Sequence, residues 1–279
     1  MKKILAAFDG LKYSQATCDY ALYLSRLTRA HLVGVFLDDR TYTGFKIYEA
    51  IGKEGVSERR LQELQNVDKE RRAKAAVQFR ESCARASVDF TLHHDRNVAI
   101  HELKHESIYT DLLIIDSRET LTHYTEKLPT RFVRELLIDT QSPVLLVPGK
   151  FKTPDRIVLL YDGEPSAVFA IKMFSYLLPQ LKSLPVEVVS VNPVNRSLHL
   201  TDNKLMKEFM KRHYPDASFT VLKGLPEEEI LRHLESAKGN PLLVLGAYRR
   251  GAVSRLFRES MADTLMKNLK LPLFVAHSK

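Results

Sequence analysis

Apolar positions in this chain gather into short unbroken runs, each closed by a turn signal, and the runs come in two matching sets. Ile4 to Gly10 reads ILAAFDG and Ile157 to Gly163 reads IVLLYDG. Later, DLLIID from Asp111 is followed by PVLLVP from Pro143, just as PLLVLG from Pro241 is followed by PLFVAH from Pro272. Runs this short, rich in Val, Ile and Leu and apolar on both faces, predict strands of a parallel sheet covered by helices. In the first set they fall at Lys2–Asp9, His31–Leu37, Asp89–His93, Asp111–Ile115 and Pro143–Val147. In the second they fall at Arg156–Tyr161, Glu187–Val191, Ser218–Leu222, Leu242–Leu245 and Leu273–Ala276.

The segments between the strands carry helical signals. Pro226 followed by Glu227, Glu228 and Glu229 suits a first helical turn, where carboxylates meet the positive end of the helix dipole. Phe257, Met261, Leu265 and Leu269 recur every fourth residue, which predicts a helix packed against the sheet. The reading is therefore α/β: two tandem five-stranded parallel-sheet domains, Rossmann-like, with a boundary near Gly149–Pro154 that separates residues 1–150 from 151–279. The opening strands lie 153 positions apart and the closing ones 129, so the second copy is shorter by 24 residues. The extra residues of the first copy form a loop at 38–56 and a long charged helix over 57–86, which either lids a cleft or covers surface.

Composition narrows the setting. Cys18 and Cys83 are the only cysteines, so no disulfide framework is expected and a reducing cytoplasm fits. No run approaches the ~20 apolar residues of a membrane span. The net charge is +8, unevenly spread: residues 1–150 hold 23 Lys+Arg against 21 Asp+Glu, leaving 19 against 13 for the second half. Basic and acidic residues interleave and no aromatic-basic strand motif is present, so nucleic acid is not expected as a partner.

In an open doubly wound sheet, ligands bind beyond the carboxyl ends of the strands where strand order reverses. With five strands ordered 3-2-1-4-5, that point lies between the first and fourth strands. It sets Asp9 against Asp116 in the first half, and Asp162-Gly163 against Gly246 in the second. A phosphate there needs close backbone approach and free N–H groups, hence glycine and Ser/Thr.

At these positions the chain resembles the universal stress protein superfamily in its tandem two-domain form, and the resemblance spans essentially the whole sequence. The resemblance implies an adenine nucleotide alpha hydrolase-like fold, and in ATP-binding members a G-x2-G-x9-G-[S/T] loop after the fourth strand with an Asp after the first. In the second half Gly246 matches the first glycine, Arg249 the second, Glu259 the third and Ser260 the hydroxyl position, with Gly251 close by. Asp162 matches the Asp, and Val191 the end of the second strand, where the family packs adenine. ATP or a related adenine nucleotide is thus implied for the second domain only, with Asp162, Gly163, Val191, Gly246, Arg249, Arg250, Gly251 and Ser260 as candidate contacts. Arg249, Arg250, Arg255 and Arg258 could replace glycine N–H groups as phosphate donors; alternatively, Arg249 fills the phosphate space and pairs with Asp162 or Glu259. In the first half Asp116 stands at the first-glycine position, Glu119 follows, and no glycine occurs between Gly55 and Gly149. A carboxylate aimed at phosphate repels it, so Asp9 reads as a turn-former that bonds local backbone.

His101-Glu102-Leu103-Lys104-His105 matches H-E-x-x-H, a pattern that on a helix can hold zinc with the Glu as base. Its context is poor, since the helix is short and no third ligand follows at zincin spacing; His93, His94 and Asp95 could contribute only if the third strand curls toward it. No nucleophile elbow is present, and Ser14, Ser117 and Ser260 lack an assignable His. Catalysis is not expected, with weak ATP hydrolysis the activity left open. The function implied is regulatory or protective in stress, either through a nucleotide or as a nucleotide-free interaction scaffold. The apolar closing strands Pro143–Pro148 and Pro272–His277 would be sheet edges, and the family joins subunits through this strand. An intramolecular pseudo-dimer is therefore expected, with a homodimer and unidentified protein partners possible beyond it.

Overall fold

The structure, a computed structural model, describes residues 1–38, 58–95, 98–122, 124–195, 198–246 and 260–276. The first half comprises Lys3–Asp9 (β1), Gln15–Thr28 (α1), His31–Leu37 (β2), Glu58–Arg85 (α2), Phe90–Asp95 (β3), Ala99–Ser107 (α3), Leu112–Asp116 (β4), Arg131–Asp139 (α4) and Val144–Val147 (β5). The second comprises Arg156–Leu160 (β6), Pro165–Leu177 (α5), a 3-10 turn at Pro179–Ser183, Val186–Asn192 (β7), Asn203–His213 (α6), Ser218–Lys223 (β8), Pro226–Ser236 (α7), Pro241–Gly246 (β9), Met261–Asn268 (α8) and Leu273–Ala276 (β10). All ten expected strands form, within two residues of the ranges read from the apolar runs.

They join into one ten-stranded sheet in the order β3-β2-β1-β4-β5-β10-β9-β6-β7-β8. Each half has the expected 3-2-1-4-5 order. Every pairing is parallel except the central one, where β5 runs antiparallel to β10 with Leu146, Leu145 and Val144 opposite Leu273, Phe274 and Val275. Both closing strands are wholly buried. Two apolar edges that would each invite aggregation satisfy one another, which gives the pseudo-dimer arrangement.

Helices cover both faces. α1, α2, α5 and α6 pack on one side, with Phe8, Tyr20, Phe79, Phe174 and Phe274 at its core. α3, α4, α7 and α8 pack on the other, around Leu103, Leu113, Leu136, Leu243 and Leu265. Helices after the first two strands of each half therefore lie opposite those after the next two, and the reversal falls between β1 and β4 and between β6 and β9. Among the described residues no helix is long and apolar enough to cross a membrane.

Local signals account for the helix ends. Ser14 caps α1, its Oγ accepting from the Thr17 N–H at 3.3 Å. Pro226 opens α7, with Glu227, Glu228 and Glu229 in its first turn. Of the four-residue stripe, Leu265 is buried and Met261 and Leu269 pack beside it, while Phe257 lies outside the described residues. The long helix α2 does more than cover surface. Its N-terminal turns are exposed, but Ala75, Ala76, Phe79 and Cys83 are buried against the first sheet half, and Arg72 reaches over the strand ends to Asp38 at 2.7 Å.

Candidate functional site

Strand register defines the two crevices. Ala6 lies opposite Ile114 and Leu159 opposite Val244, so continuing the strands sets Phe8 beside Asp116 and Tyr161 beside Gly246. Asp9 and Asp162 follow directly. The two crevices share strand order and register, and their described side chains differ.

In the first half the carboxylates at the reversal are tied up by the chain itself, and a cleft of about 380 Å³ remains beyond the ends of β1, β2 and β3, lined by Gly10, Phe36, Asp38, Lys69, Arg72 and His94. Asp9 is buried, and its Oδ1 accepts the Leu11 N–H at 2.8 Å, the local role expected of it. Burial pushes its carboxyl above the usual range, against the backbone N–H of Leu11 and the charges of Lys12 and Arg72. Asp116, also buried, accepts the Ser14 hydroxyl at 2.9 Å and a two-pronged bond from Arg118 at 2.9 and 2.8 Å. Burial would raise this carboxyl, but the Arg118 guanidinium, the Arg118 N–H and the Ser14 hydroxyl outweigh it and hold it below the usual range. Glu119 is buried three residues on, with Oε1 accepting the Thr120 and Leu121 N–H groups at 2.9 Å each. Burial, with the charge of Asp9, pushes its carboxyl up to about 7. The Lys12 ammonium donates to the Thr122 carbonyl.

Aromatic rings occupy the space over β1 and β2. Tyr13 stacks on Phe8 at 5.1 Å, Phe8 stacks on Phe36 at 5.2 Å, and Phe79 of α2 meets Phe8 edge-on at 5.4 Å. Sequence reasoning found the missing glycines here but not these fillers.

In the second-half crevice the described residues are arranged differently. Asp162 is exposed, and its Oδ1 accepts the Glu164 N–H at 2.9 Å. Gly163 takes the left-handed conformation at φ 86°, and a Cβ there would lie 2.7 Å from Thr201 Cγ2. The segment before α6 folds back over the strand ends: the Tyr161 hydroxyl donates to the Thr201 carbonyl at 3.1 Å, and the Asn192 amide donates to the His199 carbonyl at 2.8 Å. Val191 sits half-buried near the end of β7. Gly246 has a packing reason for lacking a side chain, because a Cβ would stand 2.3 Å from the Ser166 carbonyl carbon in the first turn of α5. Ser260 caps α8: its Oγ accepts the Asp263 N–H at 3.2 Å, and Asp263 accepts the Ser260 N–H in return at 3.4 Å. Asp162, Gly163 and Gly246 are thus brought together at the strand reversal. Arg249, Arg250 and Gly251, with Arg255, Arg258 and Glu259, lie outside the described residues.

The H-E-x-x-H segment lies on α3, with His101 and His105 exposed. His93 Nδ1 meets Glu106 Oε1 at 2.6 Å, and His94 packs against Phe36 at 5.6 Å. Among the described residues no three His, Cys, Asp or Glu side chains converge as a metal site.

No family model matches the chain. Its sequence is 21% identical over 291 aligned positions to the universal stress protein Slr1230 of Synechocystis sp. PCC 6803, covering 98% of this chain and 99% of that one. In fold it is similar to a universal stress protein from Archaeoglobus fulgidus, with a TM-score of 0.69 at 15% identity over 99% of this chain and 98% of the other. A universal stress protein from Pseudomonas aeruginosa gives 0.57 at 14% identity, over 99% and 92%. The chain is thus similar over its full length to one universal stress protein in sequence, and it shares the fold of others.

Proposed function

We propose that this is a cytoplasmic regulatory or protective protein of two domains, 1–150 and 151–279, in which only the second takes an adenine nucleotide. The carrying observation is the contrast between Asp9 and Asp162: the first is buried among its own neighbours, the second is exposed at the same point of the fold. An acidic side chain left in water beside Gly246 is available to a ribose hydroxyl, whereas Asp9 and Asp116 meet a phosphate only as buried repulsive charges. Binding rather than turnover is supported by the state of the serines: Ser14 is tied to Asp116, and Ser260 caps a helix. The residues Arg249, Arg250 and Gly251 are proposed as the phosphate side of the site, with Val191 toward the base.

Thermal melting with millimolar Mg-ATP, ADP and AMP tests this. A ligand at 100 times its Kd adds about 2.7 kcal/mol to the folded state. Asp162→Ala should abolish the resulting rise in Tm. An unchanged Tm with all three nucleotides favours the nucleotide-free scaffold, acting through its paired halves and any further copy or partner it recruits.

A further inference from the structure

Where β5 ends and β10 begins, the seam between the halves opens into a cleft of about 540 Å³. That volume is in the range that accommodates a metabolite-sized ligand. Its charged lining has one sign among the described residues: Arg118, Lys150, Lys152, Lys267 and Lys270 line it, and no described Asp or Glu does. Leu128, Met266 and Leu271 give it an apolar floor.

The basic groups come from three separate pieces of chain, two of them held in place. Lys150 and Lys152 flank Phe151, which packs edge-on against Tyr20 at 4.7 Å, while the Tyr20 hydroxyl donates to the Lys152 carbonyl at 3.1 Å. The segment is pinned by its ring and its carbonyl. Arg118 is oriented by Asp116, which takes two of its five N–H donors, and its guanidinium lies close enough to Gly149 that a Cβ there would be 2.5 Å from Nη2. Lys267 and Lys270 come from the end of α8 and the turn beyond it.

Three local charges oppose an anion here. Asp116 cancels Arg118, Asp155 accepts the N–H of the lining residue Asn240 at 2.8 Å, and the carboxyl end of α8 contributes roughly half a negative charge. Setting Lys267 against that helix end and one further lysine against Asp155 still leaves two of Lys150, Lys152 and Lys270. We propose that this seam cleft is a binding site for a small multiply charged anion, a phosphate-bearing metabolite held by the lysines with its body on the apolar floor. It is separate from the Asp162 crevice and does not depend on the nucleotide reading.

Calorimetric titration of the full chain with inorganic tripolyphosphate in 0.15 M salt, on the order of physiological ionic strength, tests the proposal. The wild type should bind, and Lys150→Gln/Lys270→Gln should weaken Kd at least tenfold. Asn240→Glu, which adds a carboxylate to the lining while every lysine remains, should weaken it comparably. Asp162→Ala should leave Kd within twofold, which separates this site from the nucleotide crevice. All four substituted positions are exposed or half-exposed, and unchanged melting temperatures will show that the three variants fold. No binding by the wild type, or equal binding by the double lysine variant, overturns the proposal.

Discussion

Leu145 and Phe274 face each other across the antiparallel seam, and they are also equivalent positions of the two halves, 129 residues apart like Pro143 and Pro272. A residue that pairs with its own counterpart marks a pseudo-two-fold axis. The axis therefore passes between Leu145 and Phe274. The larger ring in the second copy is used: Phe274 is fully buried and meets Phe174 edge-on at 5.1 Å. Phe274→Ala should cost about 3–5 kcal/mol, measured as a lower urea midpoint.

A second pair sits on the same axis with opposite charges. Arg134 and Asp263 are also 129 apart, and they approach to 3.4 Å. A symmetric assembly of two identical halves would place Arg on Arg or Asp on Asp here, so this pair favours the intramolecular match. Arg134 is half exposed, so a double-mutant cycle with alanine should give a coupling below about 1 kcal/mol. Arg134→Asp should cost more than Arg134→Ala, because it creates the like-charge contact.

Glu119 makes stability depend on pH in a definite direction. Its carboxyl is raised to about 7 by burial and by Asp9, so between the unfolded value of ~4.3 and 7 the native state holds a proton that the unfolded state has lost. Stability from this group is then full below that window and falls as pH rises through it. At ~1.36 kcal/mol per pKa unit, the penalty above pH 7 is roughly 3–4 kcal/mol. Glu119→Gln keeps an Oε1 acceptor for the Thr120 and Leu121 N–H groups. It should raise the urea midpoint at pH 8, leave it little changed near pH 4, and flatten the profile between. A variant no more stable than wild type at pH 8 would contradict the assignment.

Gly246 offers a test of packing against binding. Its missing Cβ leaves room for the Ser166 and Ala167 backbone, which cannot move as a side-chain tip can. Gly246→Ala should destabilise by about 1–3 kcal/mol or more in the absence of any nucleotide, read by thermal or chemical melts. A stable Gly246→Ala protein would show that the first turn of α5 has more freedom than the contact implies.

The strands, their order and the seam were legible because each rests on a local signal. Apolar runs buried on both faces admit few partners, and two apolar closing strands have an obvious use for one another. The repeat also located Asp9, Asp116, Asp162 and Gly246 correctly at the strand reversals. The contents of the crevices were less legible. Tyr13, Arg72 and Phe79 come from segments far apart in sequence, and no spacing rule announces that a helix entering after β2 will seal β1. Arg118 was overlooked although it follows Asp116 by two residues, the turn spacing that lets both its backbone and its guanidinium reach that carboxylate. Gly246 stands where the resemblance puts a phosphate-loop glycine, and its missing Cβ also gives room to the first turn of α5.

The antiparallel seam also gives the molecule a front and a back. Strands of the first half point one way and those of the second the other, so their carboxyl ends emerge at opposite poles. One pole carries buried Asp9 with the lysine-ringed seam cleft beside it; the other carries exposed Asp162. An assembly of two identical single domains would be the same from either end, so only the fused, diverged chain can offer a different surface in each direction.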